Sequence, residues 1–218
     1  MHAYSDAGKT KNLMFDAKLK PLIDPFLIQI GKICLRFGLT ANMLTVTGFT
    51  IGLCCGVLIC VEAYGWALAA LLLSRICDGL DGAIARLTQP TGFGGYLDII
   101  CDFLFYSFVP FCFALSHPEQ AAAAVFLMLS FVGTGTSFLA YAILDAKQKA
   151  DSERQPDGTK SFAYLGGLTE GTETIAVFVL ILLYPAYFSV FAIFFGVLCW
   201  LTTGYRIYAT WVEFGKDS

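Results

Sequence analysis

Long apolar stretches follow one another along the chain, separated by short polar links. They predict six membrane-spanning helices, at about 42–60, 66–87, 93–115, 121–144, 172–184 and 187–211. A helix needs about 20 apolar residues to cross the hydrocarbon core of a bilayer, and only the fifth stretch is clearly shorter. Pro185 predicts a tight link between the last two spans. No stretch shows the alternation of a transmembrane β-strand, so the predicted fold is all-α integral membrane.

The segment before the first span has a different pattern. Apolar residues recur there at helical spacing, and they are accompanied by Lys18, Lys20, Lys32 and Arg36. This pattern predicts an amphipathic helix that lies on the membrane surface rather than one packed as in a soluble protein. The predicted organisation is a polar tail at 1–14, the juxtamembrane helix at 15–38, one six-helix membrane domain at 39–213 and a short tail at 214–218.

Composition narrows the class of protein. Hydrophobic residues make up 57% of the chain and charged residues only 14%, and the mean hydropathy is +0.68. A soluble domain of this size needs more charge to cover its surface, so that class is excluded. The eight cysteines lie mostly inside apolar runs and show no CxxC spacing. They predict neither a zinc site nor a disulfide framework.

The basic residues predict the orientation in the membrane. They fall before the first span, at the turn between the second and third, and after the fourth: Lys9, Lys11, Lys18, Lys20, Lys32, Arg36, Arg86, Lys147, Lys149, Arg154 and Lys160. The intervening links contain neither Lys nor Arg. Because cytoplasmic loops are enriched in these residues, both termini are predicted to be cytoplasmic. The expected location is a bacterial inner membrane.

Four aspartates interrupt the second and third predicted spans: Asp78, Asp81, Asp98 and Asp102. Each costs about 2.5–3.5 kcal/mol to insert at a membrane centre, and close carboxylates repel one another. The first pair is spaced i, i+3 and the second i, i+4, so each pair shares a helical face. The turn between the spans predicts that the two helices are antiparallel neighbours, with the pairs facing each other at the cytoplasmic end.

Ligands of this kind suit hard cations. Oxygen ligands without sulfur or imidazole favour Mg²⁺ or Mn²⁺, and four carboxylates can hold two such ions around a phosphoryl group. An ion or proton pathway, or a purely structural ion-paired cluster, is the alternative. Gly82, Ala85 and Arg86 share the face of Asp78. The two small residues leave room for a ligand, and the arginine offers a planar fork of donors for a phosphate.

Residues 78–102 resemble the signature of the CDP-alcohol phosphotransferase family. The matching positions are Asp78, Asp81, Gly82, Ala85, Arg86, Gly94, Asp98 and Asp102. Upstream, Leu39–Thr45 is similar to the Thr-Pro-Asn-x-x-Thr motif at the family's first span, with Ala41 in place of proline. The connection Leu87–Phe93 is one residue shorter than in the family pattern. The difference is assigned to 87–90, which leaves the acidic pairs in register.

The resemblance implies a reaction and residue roles. The four aspartates would bind two divalent cations, Mg²⁺ or Mn²⁺, and Asp102 would also be the general base for an acceptor hydroxyl. The residues implied to line the CDP-donor site are Asn42, Thr45, Gly82, Ala85, Arg86 and Thr91. The implied function is transfer of a phosphatidyl group from CDP-diacylglycerol to an alcohol in phospholipid biosynthesis, with release of CMP. Because a free aspartate is a weak base, Asp102 and the cations are expected to act as one unit.

Four charged residues outside the signature are candidates for an acceptor pocket: Arg75, Glu170, Glu173 and Arg206. Each has another interpretation. Arg75 can pair with the aspartates, Arg206 can extend to the lipid headgroups, and the two glutamates can stabilise the N-terminus of the fifth span. Because carboxylates stand where relatives with phosphorylated acceptors often have basic residues, an uncharged polyol or an amino alcohol is favoured as acceptor.

Two other functions stay open at this level. One is a CDP-choline or CDP-ethanolamine type phosphotransferase that uses diacylglycerol. The other is an ion-coupled small transporter, although the inverted repeat and broken helices it predicts are not evident. The expected partners are the bilayer, CDP-diacylglycerol, a small alcohol and, from the family, a second copy of the chain. No nucleic acid is expected as a partner.

Overall fold

The described part of the chain forms seven α-helices. The computed structural model describes residues 15–154, 169 and 171–215, and the side chains of 15–23 and 149–154 are outside the description. The helices are α1 (Phe15–Arg36), α2 (Ala41–Cys60), α3 (Tyr64–Leu87), α4 (Gly92–Ser116), α5 (Ala121–Arg154), α6 (Gly171–Leu183) and α7 (Phe188–Phe214). Two 3-10 turns, Pro118–Gln120 and Pro185–Tyr187, precede α5 and α7. The predicted all-α fold, with one helix before six others, is confirmed.

The helices differ in how well they suit a membrane. Four segments are long and apolar enough to cross one: Ala41–Cys60, Gly92–Ser116, Pro118–Gln148 and Pro185–Phe214. α3 has 24 residues but carries the charges of Arg75, Asp78, Asp81 and Arg86. α6 has 13 residues, which corresponds to a length of about 20 Å. The chain is therefore a multi-pass membrane protein, and six crossings stay a prediction.

Local signals explain where the helices around the acidic pairs begin and end. Gly38 follows α1 with a φ of +76°, a conformation that favours glycine after a helix. Thr40 caps α2, because its Oγ1 accepts a hydrogen bond from the Met43 amide at 3.3 Å. Thr91 caps α4 by accepting from the Gly94 amide at 3.0 Å. Such caps satisfy amides that a helix leaves unpaired.

α2 is the helix on which the acidic helices pack. It lies against both α3 and α4, which contact each other much less. α3 and α4 were predicted to be antiparallel neighbours with facing acidic pairs; their acidic residues do converge, but both helices pack mainly against α2. The reason is the glycine face of α2. A Cβ added at Gly48 would lie 2.9 Å from the Cys77 Cβ and 3.1 Å from the Ser74 carbonyl oxygen, and one at Gly52 would lie 2.7 Å from the Phe105 ring.

α1 packs on the outside of this group. Its residues Leu27, Ile30, Cys34 and Leu35 contact a buried cluster formed by Leu44, Leu80 and Ile84 of α2 and α3. Part of the apolar face of α1 is thus buried against other helices of the protein. The location of α1 on the membrane surface stays a prediction.

Aromatic residues form the core between α4, α6 and α7. Phe113 stacks on Phe188 with ring centroids 4.3 Å apart, and Phe105 meets Phe178 edge to face at 6.1 Å. All four rings are fully buried, and such pairs add to the gain from burying their surface. This core holds α6 and α7 against α4.

Candidate active site

The acidic residues of α3 and α4 converge. Asp78, Asp98 and Asp102 each offer one carboxylate oxygen, and these oxygens lie within 4.8 Å of one another. The helical spacing explains this, since one α3 residue meets two α4 residues that share a face. Oxygens this close suit a small divalent cation such as Mg²⁺, which binds its oxygen ligands at about 2.0–2.1 Å. The donor set therefore fits the predicted metal.

Asp81 stands slightly apart from these three residues. It is 5% exposed, and its Oδ2 accepts a hydrogen bond of 2.6 Å from Thr45 Oγ1 on α2. Thr45 also donates to the Ala41 carbonyl oxygen at 3.1 Å, so the hydroxyl is shared between the helix backbone and the carboxylate. Through this contact α2 orients the second α3 carboxylate.

Both oxygens of Asp102 are engaged. Arg75 Nη1 donates to Oδ1 at 2.7 Å and also reaches Asp78 Oδ1 at 3.3 Å. Tyr106, one turn further along α4, donates its hydroxyl to Oδ2 at 3.3 Å. Sequence reasoning did not single out Tyr106. Its i, i+4 position relative to Asp102 was the available signal.

A first cavity of about 290 Å³ opens beside Asp81 and Asp98, between the start of α2, the end of α3 and the start of α4. Its lining includes five of the residues predicted to bind the donor: Asn42, Thr45, Gly82, Ala85 and Thr91. Arg86, the sixth, is not part of this lining. Its Nη2 donates instead to Asp24 Oδ1 of α1 at 3.0 Å, and its side chain is about half exposed.

A second cavity of about 280 Å³ lies between α4, α5, α6 and α7. Asp98 and Asp102 form one wall, so Asp98 is shared with the first cavity. Further lining residues are Tyr106, Phe138, Thr169, Thr174 and Arg206 together with Thr134. Sequence reasoning missed the three threonines, since nothing in their local pattern separates them from other helical threonines.

The residues predicted for an acceptor pocket have different locations. Arg206 is 6% exposed and lines the second cavity, and its Nη1 donates to the Thr134 carbonyl oxygen at 3.0 Å. Arg75 lies behind the carboxylates, in the lining of neither cavity. Glu173 lies in the first turn of α6, outside the second cavity's lining. Glu170 lies outside the described residues.

The geometry places two separate cavities on either side of one carboxylate cluster, inside a multi-pass helical bundle. Two reactants can therefore occupy the protein together and meet at the acidic residues. This architecture suits a membrane-embedded transferase.

Comparison with known proteins agrees with that class. The family model described as CDP-alcohol phosphatidyltransferase matches residues 38–208, and the chain belongs to this family. The predicted family and enzyme class are thereby confirmed.

The relatives are of two kinds. The inner membrane protein YnjF of Escherichia coli (strain K12) is 50% identical over 200 residues, which are 90% of this chain and 95% of the relative. An archaetidylinositol phosphate synthase of Pyrococcus horikoshii is 26% identical over 193 residues, 88% of this chain and 94% of the relative. The chain is thus similar to these proteins over nearly its full length.

Solved structures share the fold. The Mycobacterium tuberculosis phosphatidylinositol phosphate synthase PgsA1 with CDP-DAG bound has a TM-score of 0.65 at 20% identity, covering 85% of this chain and 93% of that one. The same protein in complex with manganese and citrate has a TM-score of 0.61 at 20% identity, covering 85% and 88%. At this identity the likeness establishes the fold.

Proposed function

We propose that this protein transfers a phosphatidyl group from CDP-diacylglycerol to a polyol and releases CMP, assisted by divalent cations. The observation that carries the proposal is the carboxylate cluster of Asp78, Asp98 and Asp102, which lies between two cavities. Asp81, which lines the first cavity, would complete the ligand set. The PgsA1 structures, one with CDP-DAG and one with manganese, support the same donor and metal for this chain.

In the proposed reaction the donor's cytidine diphosphate enters the first cavity. Gly82 and Ala85 lack bulky side chains there, and Asn42 and Thr91 offer polar groups at the opposite wall. Arg86, which is paired with Asp24, would exchange this partner for a phosphate oxygen. Bound divalent cations would neutralise the diphosphate and stabilise charge that develops during transfer.

The acceptor occupies the second cavity, with its hydroxyl directed at Asp102. Asp102 takes the hydroxyl proton as the oxygen attacks the phosphorus that bears the lipid. The new phosphorus–oxygen bond gives the phosphodiester. The bond between the same phosphorus and the bridging oxygen of the diphosphate breaks, and CMP is released. Tyr106, which donates to the other carboxylate oxygen, helps to hold Asp102 in place for this step. Orientation of this kind supplies much of the rate gain in such reactions.

The direct test is CMP release by the purified full-length protein in nanodiscs. We expect release with CDP-diacylglycerol plus a polyol, and loss of release when EDTA removes divalent cations. CDP-choline with diacylglycerol is the comparison donor and is expected to give no CMP. Release from that pair alone, or full activity in EDTA, would refute the proposal.

The second cavity supports a polyol as acceptor. Thr134, Thr169 and Thr174 can exchange hydrogen bonds with several hydroxyls, and the buried cation of Arg206 disfavours an amino alcohol. The buried guanidinium also suits a phosphate on the polyol. The names of two relatives, which are archaetidylinositol phosphate synthases, support a phosphorylated polyol over the neutral one expected from Glu170 and Glu173.

Arg206→Met is expected to raise the acceptor KM about 10-fold to 100-fold, because a charged hydrogen bond contributes about 1.5–3 kcal/mol. The donor KM should stay unchanged, and Arg206→Lys should show a smaller effect. A panel of inositol, inositol monophosphate and ethanolamine identifies the acceptor. If Arg206→Met changes both KM values equally, the acceptor role of Arg206 is wrong.

The proposed orientation places the acidic cluster and both termini on the cytoplasmic side of a bacterial inner membrane. It is supported by basic residues near this end, Arg36, Arg86 and Lys147, and by the description of the Escherichia coli relative as an inner membrane protein. A homodimer is proposed from the family alone. To test the orientation, Glu119, in the link on the other side, is replaced by cysteine. Its labelling by a membrane-impermeant reagent in whole cells is compared with that of wild type, whose eight native cysteines give the background. Labelling is expected there.

A further inference from the structure

Arg75 is the one basic residue that contacts the carboxylate cluster among the described residues. It lies on α3, and its side chain is 15% exposed. Its Nη1 is 2.7 Å from Asp102 Oδ1 and 3.3 Å from Asp78 Oδ1, so a single nitrogen links carboxylates of two helices. The two oxygens belong to α3 and α4, two helices that the turn between them does not by itself pack together. Arg75 therefore holds the cluster closed across the gap between α3 and α4.

The guanidinium is supported from behind by α2 and α4. Nη2 donates to Ser74 Oγ at 3.2 Å, and that hydroxyl donates to the Gly48 carbonyl oxygen at 2.7 Å. The guanidinium carbon lies 4.7 Å from the centroid of the Phe105 ring, a cation–π arrangement. Nε is buried and has no hydrogen-bond partner among the described residues. The side chain is thus anchored without using its full hydrogen-bonding capacity.

The positive charge of Arg75 gives it a role beyond structural support. Asp78, Asp98 and Asp102 bring three carboxylates together, and Arg75 supplies one positive charge in their midst. A divalent cation on the same oxygens would compete with the guanidinium for them and repel it, and such terms are large where water is scarce. The guanidinium of Arg75 and the divalent cation therefore cannot both contact Asp102 with optimal geometry.

We propose that Arg75 is a built-in counter-cation of the acidic cluster, which holds Asp78 and Asp102 before the divalent cation binds and releases Asp102 when it does. The inference rests on the metal site of the proposed function and deepens it. It makes Arg75 a positioning residue that couples cation binding to the freeing of Asp102. It also means that the affinity for the cation is lower than three carboxylates alone would provide.

The test measures Mn²⁺ binding to the full-length protein in detergent, from the loss of the electron paramagnetic resonance signal of free Mn²⁺. Arg75→Met keeps much of the side-chain bulk and removes the charge, and it should bind Mn²⁺ about 10-fold or more tightly than wild type. Arg75→Lys keeps the charge and should stay within about threefold of wild type. Arg36→Met removes an equal charge from an exposed position on α1 and should leave binding unchanged.

A thermal readout separates this role from a structural one. In EDTA, Arg75→Met should melt below wild type, because the cluster loses its counter-charge. Saturating Mn²⁺ should then raise its melting temperature by more than it raises that of wild type, since tighter ligands stabilise more. If the Met variant does not accumulate, Arg75→Gln, which keeps hydrogen-bond donors without charge, replaces it.

Two results would overturn the inference alone: Mn²⁺ binding that is unchanged or weaker in Arg75→Met, or equal tightening in Arg75→Lys. If Arg75→Met lowers the melting temperature equally with and without Mn²⁺, the role of Arg75 is structural only. If wild-type protein binds no Mn²⁺, the metal site of the proposed function fails together with the inference.

Discussion

Asp102→Asn is expected to lower the rate of CMP release by about 100-fold to 10,000-fold, the range that general acid–base groups contribute. The amide has nearly the shape of the carboxylate, and its oxygen can still accept the hydrogen bond of Arg75, while its NH2 group takes the place of the oxygen that accepts from Tyr106. It cannot take a proton from the acceptor hydroxyl, and it is a poorer ligand for a divalent cation. The measurement is CMP release at saturating donor and acceptor, with Mn²⁺ binding determined in parallel.

The matched control for this variant is Glu119→Gln. Glu119 is an exposed carboxylate in the turn Pro118–Gln120, between α4 and α5 and away from both cavities. Activity of this variant should equal that of wild type. If Asp102→Asn keeps activity within about threefold of wild type, the assignment of Asp102 as the base is wrong, whatever the family.

Gly48→Ala is expected to destabilise the protein by about 1–3 kcal/mol, the usual cost of overpacking. The added methyl group would meet the Cys77 Cβ at 2.9 Å and the Ser74 carbonyl oxygen at 3.1 Å, and α3 must shift to make room. Arg75 and Asp78 are adjacent to this contact along α3. Both the melting temperature in detergent and the rate of CMP release should therefore fall.

Gly204→Ala provides a control of the same chemical change inside α7. A Cβ at Gly204 meets no atom of the described residues within 4 Å, and the residue is exposed. Because alanine is favoured over glycine in a helix by up to about 1 kcal/mol, this variant should be equally or more stable than wild type. Equal destabilisation by both substitutions would contradict the close packing of α2 on α3.

The helices were predictable because their signals are local. The apolar stretches end at Gly38, at the turn 88–91 and at Pro185, and most observed helix ends lie within a few residues of the predicted ones. The exception is α5, which was predicted to end at about 144 and continues to Arg154. The convergence of Asp78 with Asp98 and Asp102 followed from spacing on two connected helices. The acidic cluster was thus available from the sequence, since helical periodicity alone determines which side chains share a face.

Contacts between distant segments were not predictable in this way. The pairing of Arg86 with Asp24 joins residues far apart in the chain, and no local pattern indicates it. The insertion of α2 between α3 and α4 depends on the tight approach at Gly48, which is visible only once the helices are packed. For the same reason, no local sequence pattern indicates that the three threonines line the second cavity. Tertiary packing decides these positions.

The shortness of α6 has a consequence for how reactants reach the protein. At about 20 Å it is about 10 Å shorter than the hydrocarbon thickness of a typical bilayer. Gly171 and Thr174, in its first turn, line the second cavity. If α6 crosses the membrane, we expect water to reach below the headgroups beside this cavity. The proposed alcohol acceptor would enter by this route from the aqueous phase, while the proposed lipid donor would arrive through the membrane, so the two would not compete for one path.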